Sequence, residues 1–286
     1  MHSCSADSPN VEPYRVRQIG KSDCVSLTRF DHPHAAALPT TFSAHEAAEE
    51  FRIDIVERGT FRLKHGRRDW TLGAGSIFLS RPNDEYRYAH MRHAEADTCL
   101  VVGFSASMSE ELAGIFANLP LVLPNTNRLA FLLLQLLACT SDEIDMRLDT
   151  VAFELVDAAR TSTVDRGHLY RSKQLEWYGQ RIGAARELID ADPTAQHSLA
   201  FLASAIAMSP FRFARVFREL VGMPPHKYLV RARLLLARDL LQAGMTVTDA
   251  CYAAGFNNLS HFIRSFRRYF GTVPSRLASL RMRSRD

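Results

Sequence analysis

The stretch SPFRFARVFRELVGMPPHK, residues 209–227, recurs as NLSHFIRSFRRYFGTVPSR, residues 258–276, when the numbering is shifted by 49. Seven positions match: Phe213 with Phe262, Arg215 with Arg264, Phe217 with Phe266, Arg218 with Arg267, Gly222 with Gly271, Pro225 with Pro274, and Lys227 with Arg276. Each copy predicts a helix with an aromatic face and an arginine-bearing face, closed by glycine and proline. A cationic unit used twice suits a periodic anion, and duplex DNA is the leading candidate.

The bulk composition favours a protein of two domains with a sizeable core. The chain has 286 residues, of which 47% are hydrophobic. Its longest apolar run, residues 129–139, is too short for a bilayer, and its start lacks the pattern of a signal peptide, so we expect a cytoplasmic protein. The five cysteines are scattered without a CxxC pair, which favours reduced thiols over a disulfide framework.

Charge is distributed unevenly along the chain. Residues 174–286 contain sixteen Arg and Lys against eight Asp and Glu, whereas the residues before them have a surplus of four acidic groups. A basic C-terminal part attracts phosphate, although charge alone would also suit a membrane surface or an acidic partner.

Residues 51–104 have the alternating pattern of short β-strands. Apolar residues recur at every second position, and Gly59, Gly66, Gly73 and Pro82 fall between the runs. This pattern predicts an antiparallel barrel or sandwich. We expect the segment TCLVVGF, residues 98–104, to return along the same sheet.

The period changes to that of helices after residue 126. Leucines at 129, 132, 133, 136 and 137 form one apolar stripe, and a second stripe runs from Ile144 to Val156. These two helices either pack on the β domain or form a dimer interface. The polar segment 161–172 is the predicted linker, so residues 127–173 are assigned as a helical dimerisation and linker region.

Start and stop signals divide the remainder into helices. Ser198 opens one helix, Ser209 with Pro210 opens the next, and Thr246 with Asp249 resembles a capping box. Asn257 or Asn258 caps the repeated helix that ends at Gly271, and a long helix over 228–241 lies between the copies. A short helix, a turn and an arginine-bearing helix thus occur twice, which predicts two helix-turn-helix units.

Helix phasing separates the two faces of the repeated helices. The phenylalanines and other apolar residues three or four apart must face the core. The remaining positions are predicted to face outward: Phe211, Arg212, Ala214, Arg215 and Arg218 in the first copy, and Ser260, His261, Ile263, Arg264, Arg267 and Arg268 in the second. Residues near the helix N-termini should read bases, and later or flanking cations should contact phosphate: Arg218, Lys227, Arg231, Arg267, Arg268 and Arg276.

These motifs together resemble the DNA-binding domain of AraC/XylS transcriptional regulators, over about residues 175–286. The resemblance implies a module of seven helices whose two recognition helices enter successive major grooves. Carried over by position, it implies these base-facing residues: Phe211, Arg212, Ala214, Arg215, Ser260, His261, Ile263 and Arg264. Ala214 and Ile263 have no hydrogen-bonding side chain, so readout there would be apolar or absent. The domain is assigned to residues 174–286.

Residues 1–126 resemble the cupin-like sensor domain found in many members of that family. The resemblance lies in IVERGTFRL, residues 55–63, and WTLGAGSIFLSRPNDEYRY, residues 70–88. Cupin enzymes hold a metal through histidines in these two motifs. Here His45 is a candidate for the first cluster, but Glu85 and Tyr86 stand where the second histidine is expected. We therefore expect no cofactor and no catalytic residues.

One short segment concentrates residue types that bind metals. His90, His93, Asp97 and Cys99 lie within ten residues, close enough for a metal or thiol sensor if Cys24 or His45 came near. The alternative is a polar loop followed by a strand in which Cys99 is a small buried apolar residue.

The sequence thus predicts an α+β protein with a cupin-like β-barrel or sandwich, a helical linker, and an all-α domain with two helix-turn-helix units. We expect a sequence-specific transcription regulator, more often an activator than a repressor in this family, and not an enzyme. Its expected partners are promoter DNA, RNA polymerase, a small-molecule effector and a second copy of the chain. Two other hypotheses are a cupin enzyme with a helical accessory domain and a DNA binder without sequence preference.

Overall fold

The computed structural model describes residues 15–31, 42, 46–90, 96–138, 144–161 and 169–280. Their contacts divide the chain into two compact units, Met1–Leu169 and Tyr170–Asp286. No single helix in these ranges is long and apolar enough to cross a membrane, although one bent pair, Leu199–Ala205 with Pro210–Val221, has sufficient length and apolar content.

The described part of the first unit contains two antiparallel sheets. The strands are β1 (Arg15–Lys21), β2 (Val25–Asp31), β3 (Glu46–Ala47), β4 (Arg52–Arg58), β5 (Thr60–His65), β6 (Arg68–Gly73), β7 (Ile77–Ser80), β8 (Glu85–His90), β9 (Thr98–Phe104) and β10 (Val122–Leu123). One sheet has the order β1-β2-β9-β4-β7-β10, and the other has the order β3-β8-β5-β6. Both sheets are open, so the cupin-like fold is a sandwich of sheets and not the closed barrel that the sequence also allowed.

Central strands β4 and β9 are buried on both faces because each face packs against a different layer. On one face, Asp54 and Val56 of β4 lie toward the second sheet, where Val56 joins a core cluster with Phe61 and Leu63. On the other face, Phe104 of β9 contacts Phe116 of the helix α1 (Ser109–Phe116) edge-on, with ring centroids 6.4 Å apart. A short 3₁₀ helix, Ala106–Met108, leads into α1.

Two helices complete this unit, α2 (Asn127–Ala138) and α3 (Ile144–Thr161). Buried leucines at 129, 132 and 136 of α2 belong to the predicted stripe. The helices pack on each other, and α3 also packs on β1 and β2. This packing agrees with one of the two alternatives that the sequence left open, and dimer contacts through the same region stay a prediction. The predicted linker began at Thr161, but this residue still belongs to α3.

The described residues of the second unit form seven helices: α4 (Ser172–Ala191), α5 (Leu199–Ala205), α6 (Pro210–Val221), α7 (Pro225–Gln242), α8 (Val247–Ala253), α9 (Leu259–Phe270) and α10 (Pro274–Leu280). Helix α4 begins two residues before the boundary at 174 predicted for the DNA-binding domain. Helix α7 begins at Pro225 and not at Tyr228 as predicted, because Pro225 occupies the first helical position, where its missing N–H is harmless.

Candidate nucleic-acid interface

Matched caps give α6 and α9 the same length and register. The Ser209 hydroxyl accepts a hydrogen bond from the backbone N–H of Arg212 at 3.4 Å, and the Asn258 carbonyl oxygen accepts one from that of His261 at 2.8 Å. Each helix has 12 residues and ends at a glycine in the left-handed region, Gly222 with φ 82° or Gly271 with φ 70°. Glycine adopts this conformation without the steric cost of a Cβ. The predicted starts and ends are confirmed, with Asn258 as the cap of α9.

The repeated phenylalanines hold both helices in place. Phe213 and Phe217 of α6 are fully buried, and so are Phe262 and Phe266 of α9. Within each pair the rings meet nearly edge-on, with centroids 5.4 Å apart in α6 and 5.5 Å apart in α9. The inward orientation that the phasing predicts is confirmed. The repeat is therefore a repeat of packing as well as of sequence.

The opposite faces are exposed and rich in arginine. Exposed side chains on these faces are Phe211, Arg212, Arg215 and Arg218 of α6, and Ser260, His261, Arg264, Arg267 and Arg268 of α9. Glu219 is the one acidic residue in the sequence of α6, and α9 has none. Both faces thus present mainly positive charge and hydrogen-bond donors, which matches the phosphates and the guanine edges of duplex DNA.

Two of the predicted outward positions are half-buried. Ile263 packs against the core cluster that contains Leu234 and Phe262, so its predicted full exposure is wrong. Ala214 is also half-buried, although it was predicted to face outward. Both residues directly follow a buried phenylalanine, and such a position lies at the border of the apolar arc. Periodicity places the centre of a helix face better than its border.

Cations flank the two helices at matching places. Lys227 is the third residue of α7 and Arg276 is the third residue of α10, and both are exposed one turn into the helix that follows a recognition helix. Arg231, one turn after Lys227, is half-buried. Arg218 lies in the last turn of α6, and Arg267 and Arg268 in that of α9, where cations also stabilise the negative end of the helix dipole.

Tyr170 and Glu219 form a contact that sequence reasoning missed. The Tyr170 hydroxyl donates a hydrogen bond to Oε2 of Glu219 at 2.6 Å, and its ring packs on Tyr178 of α4 with centroids 4.9 Å apart. Burial, together with the hydrogen bond to Glu219, raises the pKa of Tyr170. The signal for this contact in the sequence was Glu219, which is the one acidic residue of α6 beside three arginines.

Helix α7 connects the two helix-turn-helix units and contacts both α6 and α9. The Tyr228 hydroxyl donates to Oδ2 of Asp190 at 2.8 Å and accepts from Nε of Arg186 at 3.2 Å. Arg233 donates from Nε to the carbonyl of Pro193 at 2.7 Å. These bonds fasten α7 to α4 and to the loop before α5. The spacing of the recognition helices is therefore set by packed elements within this unit.

The first unit contains a cavity of about 180 Å³ between its two sheets. Aromatic side chains line much of it, with three charged groups among them: Phe30, Phe61, Phe78, Tyr86, Tyr88, Arg52, Asp54 and Asp97. Phe51 does not line this cavity and instead contacts Phe116, with ring centroids 5.1 Å apart.

The two acidic side chains that line this cavity, Asp54 and Asp97, are buried, whereas Arg52 is half-buried. Asp54 is buried, and Oδ2 accepts a hydrogen bond from the Ser80 hydroxyl at 2.6 Å. Burial raises the pKa of Asp54, while Arg52 nearby opposes the rise, with its Nε 3.8 Å from Oδ1. Buried polar groups beside aromatic faces are the usual lining of small-molecule sites.

The metal candidates are only partly covered by the described residues. Asp97 and Cys99 are buried at this cavity, and burial, with the charge of Asp97, raises the pKa of the Cys99 thiol. His90 is the last residue of β8 and does not lie in a loop. The side chain of His90 and the residues His45 and His93 lie outside the described residues. Within those residues, no group of three or more His, Cys, Asp or Glu is placed to hold a metal ion.

Two family models match the chain, and each covers one unit. An AraC-like ligand binding domain matches residues 33–156, and a helix-turn-helix domain matches residues 202–279. The HTH-type transcriptional activator RhaS of Yersinia pestis is 28% identical over 269 residues, covering 86% of this chain and 92% of the relative. RhaS of Shigella dysenteriae is 26% identical over 235 residues, covering 78% of this chain and 82% of that protein.

Two solved structures match about a third of this chain. A probable AraC family transcriptional regulator from Rhodopseudomonas palustris is 30% identical and covers 35% of this chain and 95% of its own, with a TM-score of 0.34. The DNA-binding domain of AdpA, crystallised with a target DNA, is 28% identical and covers 36% of this chain and 95% of its own, also with a TM-score of 0.34.

Proposed function

This chain belongs to the AraC/XylS family of DNA-binding transcription regulators, and we propose that it activates transcription by reading two half-sites of promoter DNA with α6 and α9. The observation that carries the proposal is the match between these helices. They have equal length, equivalent caps and exposed arginines at positions 49 residues apart. Two equivalent cationic faces on one compact unit are suited to bind two successive turns of the major groove of DNA.

Base reading is assigned to the exposed N-terminal parts of both helices. Arg215 and Arg264 are suited to bidentate hydrogen bonds with guanine O6 and N7, and each stands one turn after the residues that begin the helix. The proposed base-facing set keeps the eight residues predicted from the sequence. Within it, the half-buried Ala214 and Ile263 are expected to contribute least, because only part of each side chain can reach DNA.

Phosphate binding is assigned to the cations at the ends and flanks of the helices. Lys227 and Arg276 stand at equivalent places after α6 and α9, so they are suited to the backbone beside each half-site. Arg218, Arg231, Arg267 and Arg268 complete this set. Contacts of this kind position a protein on DNA without reading its sequence. Half-sites one helical turn apart, about 10 base pairs, would place both on one DNA face.

The first unit is proposed to sense a small molecule in the cavity beside Arg52 and Asp54. An effector changes DNA binding only if its affinity differs between two states of the protein. We also propose a cytoplasmic homodimer that contacts RNA polymerase. The helical region 127–173, between a sensor domain ending at 126 and a DNA-binding domain from 174, is the proposed site of dimer contacts. No catalytic role is proposed.

Selecting bound sequences from random DNA with the purified protein tests this proposal. We expect enrichment of one sequence with two unlike half-sites. Arg215→Ala and Arg264→Ala should each weaken binding to that sequence, whereas Arg238→Ala, an equal charge change on α7 beside Asp239, should not. Binding that falls steeply with salt but enriches no sequence would instead indicate a non-specific DNA binder.

A further inference from the structure

Phe211 is an exposed aromatic residue at the tip of a recognition helix. Its side chain is 81% exposed, whereas Phe213, two residues later on the same helix, is fully buried. Removing a phenylalanine side chain from water lowers the free energy of a protein or a complex. The protein alone does not gain this energy at position 211, so the ring is available to an apolar group of a partner.

The position of the ring is fixed by the start of α6. Pro210 occupies the first helical position after the Ser209 cap, and Phe211 is therefore the second residue of the helix. Residues four and seven positions further lie on the same helix face. Arg215 and Arg218 occupy them, and both are exposed. The ring therefore lies at the N-terminal end of a row of arginines, on the face of α6 that is proposed to bind DNA.

An apolar ring at this place has a natural target in the major groove. Among the groups that base edges present there, the 5-methyl group of thymine is the apolar one. We propose that Phe211 reads the 5-methyl group of a thymine in the half-site bound by α6. Four residues of helix advance by about 6 Å, so this thymine lies about two base pairs from the guanine bound by Arg215. The inference rests on the proposed function.

Helix α9 has no aromatic residue at the position equivalent to Phe211. Ser260 stands at the position equivalent to Phe211, and its exposed hydroxyl offers a hydrogen bond instead of an apolar surface. The apolar side chains of Leu259 and Ile263, on either side of Ser260 in the sequence, both pack against the core of the unit and are half-buried. Sensitivity to a thymine methyl group should therefore be confined to one half-site.

Replacing thymine by deoxyuridine in the selected operator tests this proposal, because the substitution removes the methyl group and keeps the base pair. We expect one such replacement in the α6 half-site to weaken binding of the wild-type protein about fourfold, the effect of one buried methyl group. The same DNA change should leave the binding of Phe211→Ala and Phe211→Ser unaltered. Replacements in the α9 half-site should leave wild-type binding unchanged.

Two outcomes would overturn the proposal: wild-type protein that binds every uracil-substituted α6 half-site as tightly as thymine, or a Phe211→Ala variant that remains as sensitive as wild type. The substitutions are on the surface, and equal thermal unfolding of the variants verifies their fold. Failure to select any operator would count against the proposed function. An operator that depends on Arg215 and Arg264 but tolerates uracil would count against the role of Phe211 alone.

Discussion

The two helix-turn-helix units differ in their turns and in their exposed faces, while their scaffolds agree. The first helices of the two units, α5 and α8, both have seven residues, and their first residues lie 48 positions apart in the sequence. The first residues of α6 and α9 lie 49 positions apart. The extra residue falls in the turn, which spans 206–209 in the first unit and 254–258 in the second. The fold therefore preserves the packing of α6 and α9 and allows changes in the turn and in the residues proposed to face DNA.

The largest effect should come from the shared scaffold. Phe213→Ala and Phe262→Ala each remove a fully buried ring, and each should lower the free energy of unfolding by about 3–5 kcal/mol. Urea denaturation of the full chain, followed by circular dichroism, measures this loss. Phe211→Ala is the matched control and should change stability by less than about 0.5 kcal/mol. A large loss for only one of the two buried rings would show that the scaffolds are not equivalent.

Alkaline pH should reduce stability through the first helix-turn-helix unit only. Tyr228 contacts Phe217 of α6 with ring centroids 5.6 Å apart. Leu277, which does not titrate, stands at the equivalent place after α9. Burial raises the pKa of Tyr228 to about 12, and a tyrosine in an unfolded chain titrates near about 10. The native state thus keeps a proton that the unfolded state releases. Its contribution to stability is complete below about pH 10 and is lost as the pH rises toward 12.

The measurable quantity is the difference in unfolding free energy between wild type and Tyr228→Phe from pH 9 to pH 11.5. It should shrink with rising pH by up to about 2 kcal/mol. Tyr252→Phe, at an exposed position on α8, should show no such trend. A constant difference for Tyr228→Phe would contradict the assigned role of its hydroxyl.

The sequence predicted the second unit more completely than the first. Caps such as Ser198 and Ser209, and the three- and four-residue spacing of the phenylalanines, are local signals. In contrast, β1 is an edge strand, RVRQIGK, whose mostly exposed polar residues give no alternation, and it was missed together with β2. The contact of Tyr170 with Glu219, 49 residues apart, depends on tertiary packing, and the sequence marks only one of the two partners, Glu219, as a lone acid on α6.

The reading positions should respond independently of each other. Arg215→Ala and Arg264→Ala should each reduce affinity for the selected operator by about 1–3 kcal/mol and relax the preference for guanine in one half-site only. Fluorescence anisotropy with operators mutated in either half measures both effects. Lys227→Ala should weaken all sequences alike and lower the salt dependence by about one unit. Loss of preference in both halves from one substitution would show that the units are coupled.

The smallest effect concerns the turns. Ala207 and Gly255 are equivalent, and both have positive φ, 53° and 82°. A Cβ on Gly255 would lie 3.1 Å from Cα of Thr194, so Gly255→Ala combines a close contact with left-handed strain and should cost about 1–2 kcal/mol. Ala207→Gly relieves the left-handed strain but raises the conformational entropy of the unfolded chain. These effects oppose each other, so the free energy of unfolding should change by less than about 0.5 kcal/mol. Thermal unfolding compares the two, and equal losses would contradict this ranking.

We propose that one chain reads two unlike half-sites because α6 and α9 share a scaffold and differ at the exposed positions. The most direct measurement is sequence selection with the triple variant Phe211→Ser, Arg212→His, Ala214→Ile, which gives α6 the residues found at the equivalent positions of α9. We predict that the half-site bound by α6 changes toward the sequence preferred by α9, while the other half-site stays as in wild type. An unchanged operator, or a change in both half-sites, would contradict the account.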